Sequence, residues 1–280
     1  MNFDLKKSAA EKLLLVAHRG AFAGNIPCNT IAAYENALAE GADMIEIDVD
    51  MTEDGKLVIF HPGMERALLG FSERISRLPW SFVKNLRYVN TDDCPTQFGI
   101  CTLDEVLERF KDRCYINVDK FWAHPREISA AIRDHGMTEQ VLVKTSVKPQ
   151  YLDIVEEWCA DMPYMAIADE TAQLQALAGR KLRYMGVEAI FKHDDDPLVS
   201  PASMAALHEK GLLLWCNAIV YNYRTVIAGD RTDDRAVLGD PEGSWGWIAD
   251  RGFDLMQTDH TLKAALFLEK TGRRPRSALC

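Results

Sequence analysis

Two histidines, an arginine and a pair of carboxylates stand in or at the ends of apolar runs between residues 13 and 61. His18 and Arg19 close the run LLLVA, Glu46 and Asp48 interrupt MIEIDVD, and His61 ends LVIF. Runs of this length bounded by Gly and turn residues read as buried strands. Charged groups are rarely buried unless paired or metal-bound, so five polar groups at strand ends mark a site. At the two-residue period of a strand, Glu46 and Asp48 share a face. With Asp119 from a neighbouring strand they form an oxygen-only set suited to one divalent cation, Mg2+ or Ca2+. Zinc would ask for clustered His and Cys donors. His18 and His61 can divide general-acid and general-base work, because imidazole titrates near neutral pH. Arg19 offers a planar fork for phosphate. Metal, arginine and two imidazoles together describe phosphodiester cleavage, with charge on the phosphoryl oxygens offset. The plainer reading is a salt-bridged strand end with hydrogen-bonded core histidines. It suffices for a lone E-x-D, and the two histidines and Arg19 tip the balance to a site.

The elements that must position these groups follow in order. A strand over 13–17 runs into His18, Arg19 and Gly20; Asn29 or Thr30 caps a helix over 31–38, stopped by Gly41. A strand over 44–50, the turn Thr52-Glu53-Asp54-Gly55 and a strand over 56–60 form a hairpin, too tight for a helical crossover and hence antiparallel. A four-residue loop brings His61 opposite Glu46, and a two-residue loop brings it opposite Asp48. Residues 62–99 follow no regular period and read as an excursion over one end of the fold. A capping-box-like Thr102-Leu103-Asp104-Glu105 opens a helix to about Phe110.

Strands then alternate with helices: strands at 114–119, 141–144, 164–167, 185–190, 212–216 and 255–258, helices at 126–135, 150–158, 172–177, 201–210, 243–250 and 261–270. The tail after Gly272 reads as frayed. With 56–60 as the returning arm of the hairpin, eight strands remain. They imply an α/β TIM (β/α)8 barrel with a small insertion after the second strand. Residues 1–280 are expected to form one domain, with 51–100 as hairpin and insertion. Barrel chemistry lies at the C-terminal strand ends, where His18, Glu46, Asp48, Asp119, Lys144, Glu188, Asn217 and Asp259 stand. A doubly wound open sheet would leave so many polar strand ends unexplained.

The chain has 280 residues, 48% hydrophobic, enough for one barrel of about 250 residues. Its net charge of −10 and lack of a long Lys/Arg run argue against nucleic acid and anionic membranes as partners. LLLVA is short of the roughly 7–15 apolar residues of a secretory signal. No run reaches the ~18 of a membrane span, so a soluble, cytoplasmic protein is expected. Seven cysteines without a CxxC fit reduced thiols, with no Cys94–Cys101 disulfide.

AHRG at 17–20, PCNT at 27–30 and GADMIEIDVDMTEDGKLVIFH at 41–61 resemble the glycerophosphodiester phosphodiesterase family. The usual pattern is HRG, PENT and GAD-x-IE-x-DV-x-x-T-x-DG-x-x-V-x-x-HD. Echoes at Asn117-Val118-Asp119, Leu214-Trp215-Cys216-Asn217 and Gln257-Thr258-Asp259 extend it over nearly the whole chain. The resemblance implies a TIM barrel, a divalent metal, and hydrolysis of glycerophosphodiesters to glycerol 3-phosphate and an alcohol. It implies His18 and His61 as the acid/base pair, Glu46, Asp48 and Asp119 as metal ligands, and Arg19 as a phosphate contact. Four positions depart from the pattern. Cys28 replaces the glutamate of PENT, Pro62 the aspartate after the second histidine, and Asp119 the commoner glutamate. The family lysine two residues after that acid is Phe121 here. Lys120, one out of register, should face away unless a bulge turns it, and Lys144 is the substitute cation. These departures bear on the substrate more than on the reaction.

Trp215 packs in the core or walls a substrate pocket. Asn217 and Glu188 support the site or simply end strands; Asp259 orients the site or caps the last helix. Trp245 and Trp247 read as packing, 193–196 as a solvated loop, and Cys28 as inert. The rivals are a sphingomyelinase D or lysophospholipase D type of enzyme, favoured by an apolar groove in 62–99, and a non-catalytic phosphodiester binder. The expected partner is a small-molecule phosphodiester, which either water or a neighbouring substrate hydroxyl can attack. The pattern is silent on oligomeric state.

Overall fold

Eleven short extended segments alternate with helices in the computed structural model, which describes residues 3–222 and 224–275. The strands are β1 (Leu14–Ala17), β2 (Met44–Met51), β3 (Leu57–Ile59), β4 (Arg87–Val89), β5 (Pro95–Gly99), β6 (Tyr115–Asp119), β7 (Val141–Ser146), β8 (Pro163–Ala168), β9 (Arg183–Ala189), β10 (Leu213–Asn217) and β11 (Leu255–Thr258). The helices are α1 (Leu5–Glu11), α2 (Ile31–Ala39), α3 (Glu65–Leu69), α4 (Trp80–Val83), α5 (Leu103–Phe110), α6 (Pro125–Asp134), α7 (Pro149–Trp158), α8 (Pro201–Glu209), α9 (Asp233–Val237), α10 (Trp247–Arg251) and α11 (Thr261–Lys270).

Strands β1, β2, β6, β7, β8, β9, β10 and β11 pair in parallel in that order, and β1 pairs with both β2 and β11. The ring is therefore closed, as expected of a TIM barrel, and leaves no open sheet edge within it. Inward side chains alternate with outward ones. Leu14, Val16, Met44, Tyr115, Leu142, Met165, Leu213 and Leu255 fill the barrel interior, while outward residues pack beneath the helices in two further clusters. Helix α1, which the sequence did not announce, plugs the N-terminal end of the barrel with Leu5 and Ala9. Toward the C-terminal end the inward positions turn polar: Glu46, Asp48, Asn117, Lys144, Glu188, Asn217 and Gln257 are all buried there. This change of polarity along one barrel axis places the site.

Strand β3 returns antiparallel along β2, with Asp50 opposite Val58 and Met51 opposite Leu57. The Thr52 amide donates to the Lys56 carbonyl at 3.0 Å. Glu53, Asp54 and Gly55 thus form a three-residue loop, with Gly55 at a left-handed φ of 84°. The register falls midway between the two expected ones, at the level of Ile47. Residues beyond β3 contain short elements with an apolar cluster of their own, including Phe60, Leu69, Ile75, Val83 and Tyr88. Segments of three to five residues are too short to display a period.

Three further differences are local. The 172–177 helix is a 3-10 helix over Thr171–Leu177, and the 243–250 helix begins as a π turn over Glu242–Gly246. Helix α9 was not foreseen. The tail is clamped as far as Arg274, which is 3% exposed and donates to the carbonyls of Leu13 and Gly41; residues 276–280 lie outside the described residues. Cys94 and Cys101 are free thiols, and no described helix is long and apolar enough to cross a membrane.

Candidate active site

The C-terminal strand ends enclose a cavity of about 260 Å³ lined by His18, Arg19, Glu46, His61, Asp119, Lys120 and Lys144. The path of the chain accounts for each. After β1 the backbone turns through Arg19 at φ 56° and Gly20 at φ 84°. A Cβ on Gly20 would lie 2.7 Å from the Ala33 carbonyl carbon, so only glycine lets α2 approach this turn. The turn aims the Arg19 amide at Glu46 Oε2 (2.9 Å) and its Nε at Asp48 Oδ2 (3.0 Å).

Register brings the acids together. Asp48 on β2 pairs directly with Asp119 on β6, and Glu46 with Asn117. Oxygens of Glu46, Asp48 and Asp119 lie within 4.8 Å of one another. Burial first, and then the Asp48 charge, push the Glu46 carboxyl up to about 7. Burial would also raise Asp119, but Lys120 and Lys144 outweigh it and hold it below the ordinary carboxylate range. Asp48 Oδ1 is buried and accepts no hydrogen bond. An all-oxygen triad with an orphaned buried acceptor fits a hard divalent cation.

Asn29, which the sequence offered only as a cap, holds Asp48 in place. It is fully buried at φ 56°. Its Nδ2 donates to Asp48 Oδ2 at 2.9 Å, and its Oδ1 accepts the Tyr34 hydroxyl at 2.8 Å and the Asp48 amide at 3.3 Å. Thr30 is the N-cap of α2, accepting from the Ala33 amide.

Lys120 does not face away. Its backbone is left-handed, φ 60°, which swings the side chain inward, 2.6 Å from Asp119 and 3.7 Å from Asp48. Lys144, 5% exposed, lies 2.5 Å from Glu188 and 3.7 Å from the centre of a Trp215 ring. Glu188 accepts from Asn217 (2.7 Å), and Asn217 accepts from Trp215 Nε1 (2.8 Å). Trp215 is fully buried beneath Lys144 and does not line the cavity.

The two histidines differ in environment. His18 Nδ1 lies 2.8 Å from Asp259 Oδ1, and since a carboxylate only accepts, Nδ1 carries the proton. Burial pulls the His18 pKa down, but the Asp259 hydrogen bond and the Glu46 and Asp259 charges outweigh it and leave it raised. His61 Nδ1 donates to the Pro62 carbonyl at 3.0 Å, leaving Nε2 with its lone pair. Burial, with Arg19 and Lys120, lowers its pKa against the pull of Asp48. Asp259 therefore orients a histidine; the N-cap of α11 is His260, which makes no side-chain capping bond.

The cavity lining also has an apolar set: Trp122, Ile167, Ile190, Ile219, Ile227 and Tyr221. Nothing in the sequence pattern announced it. Asp233, beneath Asp259, was also missed, although Thr232-Asp233-Asp234 is a helix-start signal. Burial pushes the Cys28 thiol up to about 11, which keeps it protonated. In the 193–196 loop, Asp196 accepts from its own loop amides and Asp194 pairs with Arg231.

The sequence matches the Glycerophosphoryl diester phosphodiesterase family over residues 18–261. A protein of Bacillus subtilis (strain 168) named glycerophosphodiester phosphodiesterase is 27% identical over 225 residues, 73% of this chain and 75% of that one. A relative of the same name from Caldanaerobacter subterraneus is 32% identical over 152 residues, 48% of this chain and 58% of that protein's length. Among solved structures, a glycerophosphoryl diester phosphodiesterase of Parabacteroides distasonis superposes with a TM-score of 0.77 at 17% identity, covering 98% of this chain and 94% of that one. An Oleispira antarctica phosphodiesterase in complex with the product sn-glycerol-3-phosphate gives 0.64 at 18% identity, over 94% and 99%. At these identities the structural likeness speaks to the fold.

Proposed function

The chain belongs to the glycerophosphoryl diester phosphodiesterase family, and from that premise we propose that it hydrolyses glycerophosphodiesters to glycerol 3-phosphate and an alcohol. One observation carries this reading: two histidines tuned in opposite directions face one cavity beside a carboxylate triad and three cations, Arg19, Lys120 and Lys144. Residues 1–280 act as one catalytic unit, with 51–100 supplying His61. Its free thiols suit the reducing cytoplasm.

The substrate phosphate binds against Arg19 and Lys120, with Lys144 behind them and Trp215 backing Lys144. His61, neutral at physiological pH with Nε2 unprotonated, takes the proton of the attacking hydroxyl, whether water or a neighbouring substrate oxygen. His18, kept protonated by Asp259, gives a proton to the leaving alcohol. With water as nucleophile the pair ends with its protons exchanged and solvent restores it; with a substrate hydroxyl the first product is a cyclic phosphate, which water opens as the two histidines exchange roles and return to their starting protonation. Glu46, Asp48 and Asp119 would hold one Mg2+ or Ca2+, which when bound supplies Lewis-acid polarisation of the phosphoryl oxygens.

The isoleucine lining favours a second reading within the same reaction. A diester whose phosphate-bearing backbone carries an apolar chain, of the lysophospholipase D or sphingomyelinase D kind, would meet Ile167, Ile190, Ile219 and Ile227. No such groove is needed in 62–99, whose apolar residues pack on one another. A substrate panel tests both: purified protein, short polar glycerophosphodiesters against their acylated counterparts, with Mg2+, Ca2+ or chelator. Metal-dependent release of glycerol 3-phosphate supports the first reading, and preference for the acylated series supports the second.

A further inference from the structure

Asp233 is 2% exposed, and three groups donate to it. Trp245 Nε1 (2.8 Å) and Thr258 Oγ1 (2.7 Å) reach Oδ1, and the Asp259 amide (2.8 Å) reaches Oδ2. The Asp233 amide in turn donates to the Ala218 carbonyl at 2.6 Å. The segment leaving β10 thus folds back beneath the end of β11 and grips it where Asp259 leaves the strand. We propose that Asp233 is a positioning residue for His18, acting through Asp259. The inference rests on the reading of His18 as the acid that protonates the leaving alcohol.

A carboxylate suits this place because every neighbour is a donor. The Thr258 hydroxyl can rotate away, but the indole N–H and the backbone N–H cannot. An amide in place of the carboxylate sets its NH2 against one of these fixed donors, whichever way it is flipped. A buried carboxylate is costly unless its acceptors are used, and here the donors secure the strand end that carries the partner of His18. The Asp259 carboxylate is itself only partly buried, and among the described residues its side chain makes one short contact, with His18. Its aim therefore depends on the backbone that Asp233 fixes.

The leaving group separates positioning of the acid from general damage. An alkyl alcohol must be protonated as it leaves, whereas a nitrophenolate departs without a proton. The test compares a glycerol 3-phosphoalkyl diester with a nitrophenyl phosphodiester on full-length protein in Mg2+, for wild type, Asp233→Asn and Trp245→Phe. Asp233→Asn is expected to slow the alkyl ester about tenfold or more and the nitrophenyl ester by less than about twofold. Trp245→Phe should show a weaker contrast of the same sign, and it carries the comparison if the first variant does not fold. Equal loss on both esters, or loss on neither, overturns the proposal. Proton NMR gives a readout independent of turnover: the low-field His18 Nδ1 proton should shift or broaden in the Asp233 and Trp245 variants, and an unchanged signal overturns the proposal. Wild-type turnover reports on the reaction itself, so the two readings fail separately.

Discussion

His18 donates its Nδ1 proton to Asp259 across 2.8 Å, joining the end of the first barrel strand to the end of the last. The contact follows from register. Ala17 pairs with Thr258, so the next residue on each strand leaves the barrel at the same height. Closure of the ring thereby sets one half of the proposed acid/base pair.

The opposed environments of the histidines define a pH profile. His61 lies below its ordinary value near 6.5 and must be unprotonated to accept a proton, so kcat/KM rises with pH below about 6.5. His18 lies above the same value and must be protonated, so activity falls at a higher pH. A bell is expected, and Asp259→Asn should move its alkaline limb downward. A profile with no alkaline limb, or one that Asp259→Asn leaves in place, contradicts the assignment.

Glu46 links the site to stability. Without metal its carboxyl titrates near 7, above its ordinary 4.5, because burial and Asp48 disfavour the charge. Its contribution is complete below about pH 4.5 and is lost as pH rises through about 7. Thermal melts of chelated protein should therefore show a decline in Tm over this window that Glu46→Gln flattens. Adding Mg2+ or Ca2+ at about 100 times Kd should stabilise wild type by about 2.7 kcal/mol and the variant much less. An equal decline in both proteins sinks this reading of Glu46.

Asn29 holds Asp48 from behind through a 2.9 Å hydrogen bond. Asn29→Ala should weaken divalent-cation binding about 10- to 100-fold, the usual effect of removing an outer partner of a ligand. Titration calorimetry measures this, and unchanged affinity would contradict the role.

Lys144 and Lys120 should separate. Lys144→Met strands the buried Glu188 carboxylate and should cost roughly 3–5 kcal/mol of stability. Lys120→Ala, at a half-buried position, should lower turnover while leaving Tm nearly unchanged. Denaturant melts and kinetics on both variants decide it, and the reverse pattern would exchange their roles.

The strand–helix alternation was legible because buried strands carry continuous apolar runs bounded by turns. The pairing of Glu46 with Asp48 was legible because strand faces repeat every two residues. Two kinds of information were missing. Register across separate segments is not local, so nothing in either strand said that Asp48 would pair with Asp119 or that Ala17 would pair with Thr258. Backbone conformation was the other: the left-handed Lys120 reverses the side on which its amine lies, and the left-handed Gly55 sets a three-residue loop. Asp233 reaches the site from a short helix 26 residues before Asp259, on a segment whose local pattern gives only a helix start.

Glycerol 3-phosphate release from a glycerophosphodiester, measured for wild type, His18→Ala and His61→Ala with Mg2+ and with chelator, bears most directly on the division of labour between the two imidazoles. Wild type should turn over only with metal, and each variant should lose about 100-fold or more while keeping its fold. Near-normal turnover by His61→Ala, or release that chelator does not touch, would contradict it.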